Sequence, residues 1–237
     1  MSDTSNQIEI QRRYYADTAT QYDAMHVDAR DEHSFALAVM TGLIEHFGIR
    51  SVLDVGSGTG RAITYIKKRM PGLRVVGVEP VAELREIGYR QQLSRDELVP
   101  GDACALPNKD GEFDLVYEFA VLHHIPRPAD AVKEMLRVAG KAIFISDSNN
   151  FGQGSAVGRM FKQSVHALGL WKIADLIKTR GKGYTISEAD GLAYSYSVFD
   201  NYRQVRNACR EIYTFNTRNA GTNPYRTAGQ VAVWGSK

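Results

Sequence analysis

Residues 52–61 read Val-Leu-Asp-Val-Gly-Ser-Gly-Thr-Gly-Arg, and this stretch decides the fold. An apolar run that ends in an acid and continues into three glycines, separated by small polar residues, is typical of a strand that leads through a tight turn into a helix. Glycine lets the backbone of such a turn approach a ligand closely. The stretch therefore predicts a ligand-binding turn, and it raises the question of which ligand the turn holds.

Strand-like and helix-like segments alternate along the chain after this turn, which predicts βα units around a parallel sheet. The predicted strands are 51–55, 74–79, 97–101, 113–118 and 141–147, and the predicted helices between them are 60–69, 81–92 and 128–138. Helices are also predicted over 7–25, 33–47, 155–180 and 198–209, and an antiparallel strand pair over 211–217 and 229–235, joined by a polar turn at 219–224.

These elements predict an α/β fold, with a Rossmann-like, doubly wound and mostly parallel sheet, an antiparallel C-terminal strand pair and a helical cap. We expect residues 1–237 to form a single domain. Its expected parts are an N-terminal helical lid (1–48), a cofactor-binding core (49–147), a cap insertion (148–190) and a C-terminal helix with strands (191–237).

Composition limits the possible classes of function. Hydrophobic residues make up 43% and charged residues 24% of the 237 residues, as in ordinary globular proteins. The net charge of +2 is too small to indicate a nucleic-acid partner. The polar N-terminus and the lack of any long apolar run predict a cytoplasmic protein without a membrane partner. The one basic stretch, 171–182, contains four Lys or Arg residues and indicates either contact with an anionic substrate or a solvated helix face.

The spacing of the glycines limits the ligand. In a dinucleotide-binding G-x-G-x-x-G turn the third small residue would stand at position 61, where this chain has Arg61, and the third glycine is Gly60 instead. Asp54 could meet an ammonium group through a charge-assisted hydrogen bond. Glu79 follows Gly60 by 19 residues, where an acid would accept hydrogen bonds from ribose hydroxyls. A nucleoside joined to an amino acid would supply both groups, an ammonium for Asp54 and ribose hydroxyls for Glu79.

From about residue 10 to about residue 147 the chain resembles the class I S-adenosylmethionine-dependent methyltransferases, especially their small-molecule branch. The resemblance implies that S-adenosylmethionine is the cofactor and that the segment 54–60 surrounds its methionine portion. It further implies that Glu79 binds the ribose diol and that Asp102, in Gly101-Asp102-Ala103, contacts the adenine amino group.

Segment 13–23 resembles the lid helix of these enzymes, whose tyrosines reach over the cofactor. His124, in the Val-Leu-His-His element after the fourth strand, matches a histidine that is catalytic or faces the substrate in some relatives, and a lid tyrosine could hydrogen-bond to it; a packing role is the alternative. Glu118 is expected to face either the cofactor or solvent. The predicted catalytic residues are His124 and Tyr22, and the predicted cofactor-binding residues are Tyr14, Asp54, Gly56, Ser57, Gly58, Gly60, Glu79, Pro80, Asp102, Ala103 and Glu118.

The predicted function is transfer of a methyl group from S-adenosylmethionine to a hydroxyl or amine of a small molecule such as a sugar or a specialised metabolite. Asp147, Asn149 and Asn150 offer oxygen atoms after the fifth strand, but too few acids accompany them, so no metal is predicted. Methylation of RNA or protein, a cofactor-binding protein without catalysis and an NAD(P)-dependent oxidoreductase remain alternatives. The sequence leaves the oligomeric state open.

Overall fold

A computed structural model describes residues 4–26, 31–218 and 223–237. Its helices are α1 (Thr4–Thr18), α2 (Tyr22–His26), α3 (Glu32–His46), α4 (Arg61–Arg69), α5 (Ala82–Arg90), α6 (Pro128–Val138), α7 (Ala156–Ala167), α8 (Trp171–Lys178), α9 (Tyr202–Ala208) and α10 (Pro224–Thr227). Its strands are β1 (Ser51–Val55), β2 (Arg74–Val78), β3 (Leu98–Val99), β4 (Phe113–Phe119), β5 (Ala139–Ser148), β6 (Thr185–Ser187), β7 (Gly191–Ala193), β8 (Glu211–Asn216) and β9 (Gln230–Ser236). Short 3-10 turns cover Ala19–Gln21, Leu122–His124, Asn150–Gly152 and Val198–Asn201.

Seven of the strands form one sheet in the order β3-β2-β1-β4-β5-β9-β8. β1 to β5 run parallel to one another, whereas β9 pairs antiparallel with β5 and β8 pairs antiparallel with β9. The predicted mostly parallel sheet with an antiparallel C-terminal pair is therefore confirmed. The strand order reverses between β1 and β4, and ligands of open α/β sheets bind at such a switch point.

Helices cover both faces of the sheet, so that alternate residues of one strand enter different cores. Leu53 of β1 packs in one core with Met135 of α6, and its neighbour Val52 packs in the other with Met40 of α3. Burial on both faces explains why these strands are almost continuously apolar. The tight packing fixes the carboxyl ends of β1 and β2, where Asp54 and Glu79 lie.

Two predicted helices are interrupted. The helix predicted over 7–25 breaks at Thr18, whose hydroxyl donates to the carbonyl of Tyr14 over 2.8 Å, and a 3-10 turn then leads into α2. The helix predicted over 155–180 is divided into α7 and α8 at Gly169, which has a φ of +73° that a helix cannot contain.

The sequence missed the antiparallel hairpin β6–β7, because β6 is exposed along its whole length and shows no apolar alternation. Of the predicted turn at 219–224, residues 219–222 lie outside the described residues, and Pro224 begins α10. Within the described ranges, no helix combines the length and the apolar character needed to cross a bilayer.

Candidate active site

A cavity of about 800 Å³ lies over the carboxyl ends of β1, β2 and β4. Its volume falls within the range of about 300–1,000 Å³ that is usual for small-molecule sites. Nine of the residues predicted from sequence line it, namely Tyr22, Asp54, Gly56, Ser57, Glu79, Pro80, Asp102, Ala103 and His124.

The glycine turn closes one end of this cavity. Gly56, Gly58 and Gly60 have φ values of +73°, +56° and +83°, which residues with a side chain rarely adopt. A Cβ atom on Gly56 would lie 2.4 Å from Val121 Cγ2, so the turn also needs the space that glycine leaves. Gly58 and Gly60 are absent from the described cavity lining; the amide of Gly58 instead donates to Glu79 Oε2 over 2.9 Å. These two glycines shape the turn.

Asp54 and Glu79 are two buried carboxyl groups at the ends of neighbouring strands. Burial raises the pKa of Asp54 to about 8, helped by the charge of Glu79 and opposed by the Ser57 hydroxyl. Burial also raises the pKa of Glu79 to about 7, although the amides of Val81 and Gly58 donate to its carboxylate and lower it. Two carboxyl groups that are costly to ionise alone suit a ligand that brings positive charge.

The cofactor-free protein should lose stability as pH rises through the range in which these two acids ionise. A carboxyl pKa raised by folding contributes stability that is fully present below its unfolded value of about 4 and is lost as pH passes the folded value. We expect the melting temperature to fall as pH rises from about 4, and to level off above about 7 for the contribution of Glu79 and above about 8 for that of Asp54. Asp54→Asn should flatten this fall in a calorimetric pH series, and an equally steep fall in the variant would contradict the assignment.

The N-terminal segment lies over the cavity and is fastened at both sides. The guanidinium of Arg12 forms an ion pair with Asp102 over 2.6 Å, and Asp102 Oδ1 accepts from the Cys104 amide. Tyr22 lies over the glycine turn, where a Cβ on Gly58 would come within 2.8 Å of its hydroxyl. Asp102 and Tyr22 thus both join the lid to the cofactor-binding core.

Helix α1 is bonded to the β6–β7 hairpin on its other side. The side chain of Gln11 accepts from the Leu192 amide and donates to the carbonyl of Asp190. Tyr14 donates its hydroxyl to the carbonyl of Glu188 over 2.8 Å. Tyr14 therefore packs on the hairpin, and it is not among the described residues that line the cavity.

Glu118 faces neither the cavity nor solvent. It is fully buried, and its two carboxylate oxygens accept from the amides of Val121 and Ser146 over 2.8 and 3.0 Å. Burial, with the charge of Asp147, raises its pKa well above the usual range. Glu118 therefore fixes the backbone where β4 ends, and this backbone leads directly into the segment that contains His123 and His124.

His124 is held between the lid and the hairpin. Its Nδ1 lies 2.7 Å from the carbonyl oxygen of Leu192, which can only accept, and 3.0 Å from Gln11 Nε2, which can only donate. The shorter contact, with the carbonyl, favours a proton on Nδ1. Its Nε2 lies 2.9 Å from the hydroxyl of Tyr15, which donates to it when the ring is neutral. Asp190 Oδ1 lies 3.4 Å from the same nitrogen and would pair with the ring if it gained a second proton.

Sequence reasoning placed a lid tyrosine beside His124 without choosing Tyr15, and it missed Asp190 and Gln11. Tyr15 and Gln11 are four residues apart, so they share the face of α1 that meets His124, whereas Tyr14 points about 100° away. The helical period of α1 shows that Tyr14 and Tyr15 face different directions, but it does not show which of them meets His124. Asp190 had no signal, because its hairpin was not predicted.

His123 lies against His124, with 3.9 Å between the ring centroids, and shares Asp190 with it. Its Nδ1 lies 2.6 Å from a carboxylate oxygen of the buried Asp147, and its Nε2 lies 3.3 Å from Asp190. Burial lowers the pKa of His123, but the two carboxylates outweigh it and raise the pKa to about 10. The ligand atoms of His123, His124 and Asp190 lie within 4.8 Å of one another, so these side chains could also hold a metal ion. The absence of a metal stays a prediction.

Residues 53–143 match a family described as a methyltransferase domain. This match covers β1, the glycine turn, β2 and β4, the elements that build the cavity. Residues 53–143 therefore form a methyltransferase domain of the class I S-adenosylmethionine-dependent type. The prediction of the family is confirmed, and so is S-adenosylmethionine as the cofactor that the family uses.

The chain is similar to tocopherol O-methyltransferase of Arabidopsis thaliana, with 32% identity over 145 residues, covering 56% of this chain and 41% of the relative. It is similar to norajmaline N-methyltransferase of Rauvolfia serpentina, with 31% identity over 98 residues, 38% of this chain and 32% of the relative. The chain thus spans less than half of the length of these relatives.

One similar solved structure is magnesium protoporphyrin IX methyltransferase from Synechocystis PCC 6803 with bound SAH. It has a TM-score of 0.64 and 13% identity, and the alignment covers 98% of this chain and 99% of that one. Another, from Thermotoga maritima, has a TM-score of 0.59 and 19% identity, and covers 97% and 99% of the two chains. At these identities the likeness supports the fold alone.

Proposed function

We propose that the protein transfers a methyl group from S-adenosylmethionine to a hydroxyl or amine of a small molecule, with a sugar or a specialised metabolite as the acceptor. The observation that carries the proposal is the pair of buried acids, Asp54 and Glu79, which face one cavity with the glycine turn between them. The similar curated relatives named as O- and N-methyltransferases support a small-molecule acceptor.

The cavity residues fit S-adenosylmethionine, which supplies an activated methyl group on a positively charged sulfur. Asp54 would bind the ammonium of the methionine portion, and Glu79 would accept from the ribose hydroxyls through lone pairs that its two amide donors leave available. Asp102 would accept from the adenine amino group, exchanging its ion pair with Arg12 for that contact. The main work of the protein is then to align donor and acceptor and to exclude water.

His124 and Tyr15 would handle the acceptor proton. The pKa of Tyr15 is raised well above its usual range, chiefly by burial, so its hydroxyl stays protonated at neutral pH and cannot serve as the base. His124 Nε2 is the better base: it would take the proton of an acceptor hydroxyl once Tyr15 gives way or relays it. Asp190 would then pair with the charged ring. Tyr22, predicted as catalytic, lies over the glycine turn, and we propose that it covers the cofactor.

Calorimetric titration with S-adenosylmethionine, followed by incubation with a panel of small-molecule hydroxyl and amine acceptors, tests the proposal. We expect saturable binding at one site and formation of S-adenosylhomocysteine with at least one acceptor. Absence of binding even at millimolar S-adenosylmethionine, on the order of the weakest affinities that calorimetry resolves, would refute the proposal. Because the cluster of His123, His124 and Asp190 could bind a metal, the reactions should be repeated with a chelator, which we expect to leave the rate unchanged.

The alternatives give different results in the same samples. An NAD(P)-dependent oxidoreductase would bind NADH in preference to S-adenosylhomocysteine in a fluorescence titration, and Arg61 at the third small-residue position argues against it. A methyltransferase that acts on RNA would be retained on RNA in a salt-sensitive manner. Binding of S-adenosylmethionine without transfer to any acceptor class would favour a non-catalytic protein.

A further inference from the structure

Helices α7 and α8 present apolar side chains to solvent. Neither helix contains a buried residue. Phe161 and Ile177 are 64% and 74% exposed. The large apolar residues that α7, α8 and the linker between them expose are Val157, Met160, Phe161, Leu168, Leu170, Ile173, Leu176 and Ile177. Spacings of three and four residues place those within each helix on one side, which we call the cap face. An exposed apolar face of this size indicates a binding surface.

The polar side of α7 faces the body of the protein, which is the reverse of an ordinary surface helix. The ammonium of Lys162 donates to the carbonyl of Asn150, and the amide of Gln163 donates to the carbonyl of Phe151 over 3.0 Å. These bonds fix the rotation of α7. The apolar residues are therefore held outward by the fold and do not represent a frayed helix.

Basic residues flank the cap face, except that Lys162 and Lys178 turn to the body of the protein, where they donate to Asn150 and Ser195. Residues 155–186 contain six basic side chains, Arg159, Lys162, Lys172, Lys178, Arg180 and Lys182, and one acid, Asp175. None of these six forms an ion pair with a carboxylate among the residues that the structure describes. Apolar residues flanked by Lys and Arg are typical of helices that lie in the interface of a membrane.

We propose that the cap face docks on a bilayer that contains anionic lipids. Its apolar residues would enter the boundary between headgroups and acyl chains, and its basic residues would pair with the lipid charges. A second copy of this chain is a poorer occupant, because pairing two cap faces would bring two clusters of net positive charge together. The sequence prediction of no membrane partner considered membrane-spanning segments and did not consider this mode of binding.

The cap also borders the cavity, which bears on the acceptor. Lys178 of α8 and Thr185 of β6 contribute to the cavity lining, and Lys178 donates to the Ser195 hydroxyl beside it over 3.3 Å. An acceptor that reaches the cavity from the cap side would therefore come from the membrane. This step rests on the proposed function, and it specifies the acceptor as a lipophilic molecule that partitions into the bilayer.

A tryptophan placed on the cap face allows a direct test. The natural Trp171 begins α8 with its ring against Phe151, 5.3 Å between the ring centroids, and Trp234 lies in the sheet and is completely buried. The reporter is therefore the exposed position 161, in the variant Phe161→Trp with Trp171→Phe. We expect vesicles of brominated phosphatidylcholine and phosphatidylglycerol to quench this tryptophan and leave Trp234 unchanged, so that Trp171→Phe alone shows no response. Vesicles of brominated phosphatidylcholine alone should quench much less.

Matched variants complete the test in a vesicle co-sedimentation assay. Phe161→Asp with Ile177→Asp, and separately Lys172→Glu with Lys182→Glu, should each lower vesicle binding by about tenfold or more. Tyr213→Asp is the control, because Tyr213 is an exposed aromatic residue on β8, outside the cap. Melting temperature and binding of S-adenosylmethionine should stay unchanged in all of them.

Three results would overturn the proposal: no quenching by anionic vesicles, equal binding to neutral vesicles, or a lipid-free dimer that the Phe161→Asp and Ile177→Asp pair dissociates in sedimentation velocity. The last result would assign the cap face to a second copy. Each is distinct from failure of the proposed function, since calorimetry with S-adenosylmethionine on the same samples reports the cofactor site independently.

Discussion

Replacing His124 by alanine should slow methyl transfer to a hydroxyl acceptor by about 100-fold or more, with nearly unchanged affinity for S-adenosylmethionine. His124 lines the cavity, and its Nε2 faces the hydroxyl of Tyr15 and the carboxylate of Asp190. Removing the ring removes both the proposed base and its contact with the Leu192 carbonyl. Release of S-adenosylhomocysteine measures the rate, and calorimetry measures the affinity.

Two further variants separate a role in proton transfer from a role in packing. Tyr15→Phe keeps the ring and removes the hydroxyl, so the double variant of Tyr15 and His124 should be no slower than His124→Ala alone if the two residues act as a unit. His46→Ala removes an exposed histidine at the end of α3 and should leave the rate unchanged. A full rate in His124→Ala would exclude this residue from the mechanism.

Replacing Glu79 by alanine should weaken binding of S-adenosylmethionine by roughly 10- to 100-fold, the loss expected when a buried charged acceptor of hydrogen bonds is removed. Its carboxylate joins the end of β2 to the glycine turn through the amides of Val81 and Gly58. The variant therefore loses both the proposed ribose acceptor and the contact that shapes the turn. Titration calorimetry gives the dissociation constant.

The matched control is Glu112→Ala. Glu112 forms an ion pair with Arg74 over 3.0 Å and is absent from the described cavity lining, so its removal changes the net charge equally without touching the site. An unchanged dissociation constant in Glu79→Ala would refute the proposal that Glu79 binds the ribose hydroxyls. A comparison of kcat at saturating cofactor shows whether any remaining loss lies in binding alone.

The sheet and the glycine turn could be predicted because their formation depends on residues that are close together in the sequence. β1 was predicted at its observed bounds, 51–55, since a strand buried on both faces must be continuously apolar. A glycine by itself indicates a backbone conformation that other residues rarely adopt. The positions of the acids at 54 and 79 could be predicted because they lie where the predicted strands end. None of this needs knowledge of distant contacts.

The acceptor side could not be predicted because it depends on distant contacts. Helix α1 buries Gln7 and Gln11 where an ordinary helix would bury apolar residues, so no apolar stripe revealed that Tyr15, and neither Tyr14 nor Tyr22, faces His124. Asp190 comes from a hairpin whose first strand is exposed and reaches His124 across 66 residues. Tyr15, His124 and Asp190 come together only in the folded chain.

The bonds between α1 and the β6–β7 hairpin have a consequence for turnover. Because Gln11 and Tyr14 fasten α1 to this hairpin, we expect a displacement of α1 from the cavity to move Asp190 with it and so to separate Asp190 from His124. Under the proposed function, entry of the cofactor past α1 and separation of Asp190 from His124 would then be one motion. Asp190 would then pair with His124 only when the cofactor is enclosed, and the enclosed sulfonium would be protected from hydrolysis.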